Sequence, residues 1–173
     1  MKRKVKGKNS PRLPGFDYSS HRAYFITINI QDRKRYFGRI ENGKMYLSDL
    51  GRILEKEWLL SEKLRTNIKL DNYQIMPDHF HAIVWISDRE ELELPNYPHL
   101  PQSPGFHFDL GKISQNLSSM IRFVKGKVKG TASMLGYSDF AWQRSFYDRI
   151  IRNQSELERI RVYIKNNPAR WLQ

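Results

Sequence analysis

From Ala23 to Ile30 the chain alternates: Tyr24, Ile26, Ile28 and Ile30 share one side, and Ala23, Phe25, Thr27 and Asn29 the other. A period of two predicts a β-strand with the first set turned to the core. Phe37-Gly-Arg-Ile, Glu41-Asn-Gly and Lys44-Met-Tyr-Leu predict a hairpin. Its turn is Asn42-Gly43, residue types that tolerate the positive φ of a two-residue connection. Ser48 or Asp49 then caps a helix with Leu50, Ile53, Leu54 and Trp58 on one stripe. Ile68 to Met76 is extended, and Pro77-Asp78 joins it to His79–Ile86, the most apolar stretch of the chain. Its two sides, His79/His81/Ile83/Trp85 and Phe80/Ala82/Val84/Ile86, are both largely apolar, which predicts a central strand covered twice. Leu110, Ile113, Leu117, Ile121 and Val124 mark a long amphipathic helix, and Phe140 to Ile151 a further strand. Ser155 and Glu158 form a capping box for a last helix, which should stop at or before Asn167 because Pro168 follows. This order of elements predicts an α+β layer, helices packed on a mostly antiparallel sheet.

Two segments break the pattern. Residues 1–13 hold Lys2, Arg3, Lys4, Lys6, Lys8 and Arg12 with no acid, a basic N-terminal arm that is either a solubilising tail or a ligand for phosphates. Residues 14–173 read as one domain. Inside it, Asp88, Glu90, Glu91 and Glu93 precede Pro95, Pro98, Pro101 and Pro104. The three-residue period suits polyproline II, and the Pro-rich stretch 88–108 is expected to be an extended loop.

Composition narrows the class. The 173 residues include 30 Lys+Arg against 18 Asp+Glu, a net charge of +12, which favours nucleic acid as partner before a membrane. No cysteine is present, so disulfides, thiol nucleophiles and cysteine-ligated metals are excluded. No apolar run approaches the ~18 residues of a membrane span, and the basic start has no apolar stretch behind it, unlike a signal peptide. A soluble, cytoplasmic nucleic-acid-binding domain is expected. Arg122, Lys125 and Lys129 recur at helical spacing opposite the apolar stripe, with no acid between Asp109 and Asp139. That single-sign stripe is a candidate phosphate track.

Of five histidines, only His79 and His81 lie inside an apolar strand. A spacing of two puts both imidazoles on one side, with Phe80 in the opposite layer. Two such rings can share a divalent cation, although the pattern alone more often marks packed core histidines. Tyr163 and Asn167, four apart, lie on one side of the last helix and can present a phenol and a neutral oxygen together. On spacing alone they read first as a core aromatic and a helix C-cap before a proline.

The string Met76-Pro-Asp-His-Phe-His-Ala-Ile-Val-Trp85 resembles the histidine–hydrophobic–histidine (HUH) motif of single-strand transposases. Trp142-Gln-Arg-Ser-Phe-Tyr-Asp-Arg-Ile-Ile-Arg152 and Tyr163-Ile-Lys-Asn-Asn-Pro168 resemble the signature stretches of REP-associated tyrosine transposases. The openings Arg12-Leu-Pro-Gly-Phe-Asp-Tyr-Ser and Ala23-Tyr-Phe-Ile-Thr-Ile are similar to that family too, so the resemblance runs from about Arg12 to Trp171. It implies a ferredoxin-like sheet with flanking helices, a metal site at His79 and His81 with Asn167 as third ligand, and Tyr163 as nucleophile. It further implies nicking and joining of single-stranded or hairpin DNA of REP type, through a 5′-phosphotyrosine, with Mg²⁺ or Mn²⁺ as cofactor. The protein would act as a monomer or homodimer. Tyr147 departs from the family, which often has histidine there, and the acidic, proline-rich segment reads as an insertion.

The chemistry follows from the residue types. Attack by a tyrosine conserves the phosphodiester energy, so a free 3′-OH can later reverse the step. Asp148 or a metal-bound water is the candidate base for the phenol. Phosphate contacts are expected from Arg12, Arg122, Lys125, Lys129, Arg144 and Arg149. Three alternatives share parts of the pattern: a non-catalytic nucleic-acid-binding module, a rolling-circle replication initiator and a hydrolytic metallonuclease.

Overall fold

The computed structural model describes residues 22–86 and 116–171. The arm 1–13 with Arg12, the Pro-rich stretch 88–108, and Leu110 and Ile113 lie outside the described residues.

Among the described residues six strands and three α-helices follow one another: β1 (Arg22–Asn29), β2 (Gly38–Glu41), β3 (Lys44–Leu47), α1 (Asp49–Lys63), β4 (Ile68–Ile75), β5 (His79–Ile86), α2 (Leu117–Met134), β6 (Tyr147–Ile151) and α3 (Gln154–Asn166). The main sheet runs β4-β5-β1-β6, with every neighbouring pair antiparallel. With α1 and α2 as crossovers this is the ferredoxin-like arrangement, and the β2–β3 hairpin and α3 are additions to it. Asn42 and Gly43 take φ of 51° and 71°, the double left-handed turn that a two-residue hairpin needs.

Alternation along β1 and β5 builds two cores. Tyr24, Ile26, Ile28 and Ile30, with Phe80, Ala82, Val84 and Ile86, face α1 and α2. There Leu50, Leu54 and Trp58 of α1 and Met120, Ile121, Val124 and Val128 of α2 close over them. On the reverse side, Ala23, Ile83 and Ile151 pack on Leu157 and Ile164 of α3. Strand β5 lies between β4 and β1 and is buried along nearly its whole length, as its composition predicts.

Two boundaries differ from the sequence pattern. The N-cap of α3 is Asn153, whose side chain accepts from the Glu156 N–H at 2.9 Å, so the helix begins before Ser155. Buried Glu156, rather than Glu158, accepts from the backbone N–H ahead of the helix, that of Arg152, at 2.9 Å. Of the run Phe140 to Ile151, only Tyr147–Ile151 is strand. Phe140 enters the core instead, Trp142 makes one isolated bridge to Ile30, and Ser145 turns the chain at φ 67°. Ser48 does cap α1, accepting from Gly51 N–H at 3.1 Å.

No helix among the described residues is long and apolar enough to cross a membrane.

Glycines in the helices separate packing from propensity. A Cβ on Gly51 would lie 2.2 Å from the Phe37 carbonyl oxygen, whereas one on Gly126 would meet nothing within 4 Å. Gly51→Ala should therefore destabilise by about 1–3 kcal/mol despite its better helix propensity. Gly126→Ala should stabilise by about 0.5–1 kcal/mol. Denaturant midpoints of the two variants give the comparison, and a stable Gly51→Ala protein would contradict the close approach of α1 to Phe37.

Candidate active site

The odd-numbered residues of β5 point to the α3 side, which carries His79 and His81 beneath that helix. Their ring centroids are 4.7 Å apart, and both residues are buried. Each Nδ1 has a partner. His79 Nδ1 bonds to the Asp78 carboxylate, and His81 Nδ1 lies 2.8 Å from Thr27 Oγ1 across the β1–β5 pairing. An Nδ1–H donated to a carboxylate fixes the tautomer of His79, so its Nε2 keeps a lone pair.

Burial sets the charge of the pair. It pushes His81 down to about 3, helped by the neighbouring His79. His79 is also lowered, mainly by burial, against the pull of the Asp78 carboxylate. The charge of Arg33 acts on both rings in the same direction. Both imidazoles are thus neutral near pH 7, the state that can bind a cation.

Helix α3 brings Tyr163 to this pair. Its hydroxyl stands 3.3 Å from His81 Nε2, and its ring packs edge-on to His81 and to Phe25. Phe25 in turn stacks on His81 with centroids 5.4 Å apart. The helix is fastened by Arg161, which donates to both oxygens of Asp71 on β4 at 3.0 and 2.6 Å. Trp85 Nε1 donates to the same carboxylate at 2.9 Å. Burial alone would raise Asp71, but the bonds from Arg161, Trp85 and the Asn72 N–H outweigh it and hold the carboxyl below its usual range.

Asn167 follows the last turn of α3, and the Nδ2 end of its amide is buried without a hydrogen-bond partner. The two ends of an amide exchange by a half-turn, so the same position can offer a carbonyl oxygen. Among the described residues no group of three His, Cys, Asp or Glu could hold a metal ion. Any third ligand for His79 and His81 from these residues must therefore be of another type.

Asp148 is not placed to serve Tyr163. It pairs with Ile26, so it points to the α1/α2 side of the sheet, opposite His81. Tyr147 is on the correct side but pairs with Thr27, which separates it from His81 by two strand spacings, ~10 Å.

The expected phosphate contacts divide. Arg122 and Arg144 are exposed. Arg149 is exposed but joined to buried Glu156. Lys125 and Lys129 have an internal occupation. Lys125 Nζ donates to the Gln143 and Ser145 carbonyls, both at 2.8 Å, and Lys129 Nζ to that of Phe140. They tie α2 to the loop that leads into β6. An acid-free helix side signals phosphate binding only when its cations lack nearer acceptors, and here the irregular loop supplies carbonyls. Phe25, Thr27, Asp78 and Arg33 were not singled out by sequence pattern. Only Asp78, adjacent to the histidines, offered a signal.

Two outcomes follow. Lys125→Ala should lower stability by about 1–3 kcal/mol, measured by denaturation, because two carbonyls lose a charged donor. For metal-free protein, stability should fall as pH drops below about 6.5, because the unfolded chain gains a proton at His81 that the folded chain refuses until about pH 3. Replacing His81 with Gln should flatten that decline by up to about 2 kcal/mol between pH 7 and 4.5, and an unchanged decline would show that His81 is not buried as described.

No family model matches the chain. An uncharacterised protein of Haemophilus influenzae is 32% identical over 168 residues, which are 96% of this chain and 91% of the relative. Among solved structures, a REP-associated tyrosine transposase bound to a REP hairpin superposes with a TM-score of 0.60. Sequence identity there is 17%, and the match covers 93% of this chain and 74% of that one. The chain belongs to the same family as the Haemophilus influenzae protein, and its fold is that of the REP-associated tyrosine transposase.

Proposed function

We propose that the protein nicks and rejoins single-stranded, hairpin-bearing DNA through a tyrosine–DNA intermediate, with a divalent cation held by His79, His81 and Asn167. The observation that carries this reading is the 3.3 Å approach of the Tyr163 hydroxyl to Nε2 of a buried, neutral His81 paired with His79. The fold supports it, because the transposase it matches was solved on a DNA hairpin.

An amide oxygen suits Mg²⁺ and Mn²⁺ alike, while two imidazole nitrogens are soft ligands for Mg²⁺ and favour Mn²⁺ of the two. A cation bound there would polarise a non-bridging oxygen and ease departure of the 3′-oxygen. The chain's own residues do the rest. Asp78 and Thr27 hold the two rings at Nδ1 and leave Nε2 of His79 free to act as a ligand. Phe25 and the Arg161–Asp71 pair fix the position of Tyr163. At 41% exposed, the Tyr163 side chain is reachable by a DNA strand at the edge of α3, and its proton has solvent to leave to. Its oxygen then forms a bond to phosphorus while the bond from phosphorus to the 3′-oxygen breaks, leaving a 5′-phosphotyrosine and a 3′-OH.

Tyr163→Phe removes one oxygen and keeps the ring on His81 and Phe25. It should abolish a denaturant-resistant protein–DNA adduct formed with hairpin DNA and Mn²⁺, while DNA affinity stays within about twofold. His79→Ala and excess EDTA should each abolish cleavage. Asn167→Ala should be milder, since water can replace a neutral amide oxygen. An adduct that persists in Tyr163→Phe, or cleavage at full rate in chelator, would overturn the assignment; binding with no adduct under any condition would point to a non-catalytic binding module.

A further inference from the structure

The loop after β1 carries features that the proposed reaction does not use. Asp32 and Arg33 have φ of 57° and 54°, two consecutive non-glycine residues in the left-handed region. Side chains rarely adopt that backbone, and it persists where surrounding contacts over-determine it. Here those contacts are polar and lead to the histidine pair. Arg33 Nη1 donates to Asn29 Oδ1 at 3.2 Å and lies 3.5 Å from Asp78 Oδ2. The other Asp78 oxygen accepts from His79 Nδ1. Asn29 stands opposite His79 in the β1–β5 register, on the same side of the sheet.

Burial differs sharply along this chain of bonds. Asn29 and Asp78 are 7% and 6% exposed, whereas the Arg33 side chain is 58% exposed. Both contacts use Nη1, so most of the five guanidinium donors remain open to a ligand. The neighbouring cations differ in what they are free to do. Lys34 is engaged with Asp139 at 2.7 Å, while Arg35 lies over the Trp171 ring, 5.6 Å from its centroid. That ring is itself 5.7 Å from His79.

A planar fork of donors pinned at one nitrogen beside His79 matches the two non-bridging oxygens of a phosphodiester. We propose that Arg33 is a phosphate-binding residue of this site, clamping one backbone phosphate of a single DNA strand on the His79 side, with Arg35 as a second arm. The proposal rests on the single-strand DNA reading above and names a contact that reading does not contain. The left-handed pair Asp32–Arg33 then has a reason: it returns the chain so that the arginine reaches back over Asp78.

The test is DNA binding without divalent cation, so that no cleavage intervenes. A set of hairpin-bearing oligonucleotides, each with one phosphate replaced by a neutral methylphosphonate, is titrated by fluorescence anisotropy against wild type, Arg33→Ala, Arg33→Lys and Arg35→Ala. One position should weaken wild-type binding about tenfold, the scale of one charge-assisted hydrogen bond. At that position Arg33→Ala should show no further loss, and Arg33→Lys and Arg35→Ala partial ones. If Arg33 served only to fasten the loop, its variants would melt at lower temperature but keep wild-type sensitivity at every phosphate, and the clamp would be refuted. Equal affinity of wild type and Arg33→Ala for every oligonucleotide would refute it too. Failure of wild type to bind any of them would overturn the DNA reading itself, and the clamp with it.

Discussion

A strand with apolar side chains on both sides must be covered twice, and β5 is such a strand. Phe80, Ala82, Val84 and Ile86 call for α1 and α2 on one side. Ile83 calls for α3 on the other. Because side chains alternate, a helix brought in to cover Ile83 also covers His79 and His81. The second cover thus does two things at once. It removes both imidazoles from water, which keeps them neutral, and it carries Tyr163 to within 3.3 Å of one of them. A one-residue slip of β5 would send the histidines into the α1/α2 core and Phe80 under α3, destroying core and site together.

Neutral buried rings still need orientation, and the polar groups around them supply it. Asp78 and Thr27 engage the Nδ1 atoms from the preceding residue and from the adjacent strand. Arg161 and Asp71 join α3 to β4 through two parallel bonds, two residues before Tyr163. Bidentate pairs of this kind fix direction as well as distance. The Tyr163 phenol is therefore held by the fold's own framework while remaining part-exposed at the rim.

The sequence disclosed the features that depend on period and spacing. Alternation along 23–30 and 79–86 located the two central strands, and Asn42-Gly43 located the hairpin. The tyrosine and the histidines could be paired only through resemblance, since nothing in local spacing says that α3 lies over β5. The misplacements share a cause: local patterns carry no information about which backbone acceptors lie nearby. Lys125 and Lys129 looked like a free cationic stripe because the carbonyls that take up their ammonium groups belong to an irregular loop over ten residues away. Ser155 and Glu158 matched a capping box, yet Asn153 and Glu156 present the same spacing two residues earlier, and the burial of Glu156 beside Arg149 decides between them. Asp148 looked available until the strand register assigned it to the opposite side of the sheet.

In the proposed reaction the tyrosine beside the histidine pair, and no other, becomes joined to DNA. Digestion of the adduct with trypsin separates the two tyrosines that, among the described residues, lie on this side of the sheet. Tyr163 falls in the peptide Val162-Tyr-Ile-Lys165 and Tyr147 in Ser145-Phe-Tyr-Asp-Arg149. Mass spectrometry after nuclease trimming should find the residual nucleotide on Val162–Lys165. Its presence on Ser145–Arg149, or on any other peptide, would rule out Tyr163 as the nucleophile.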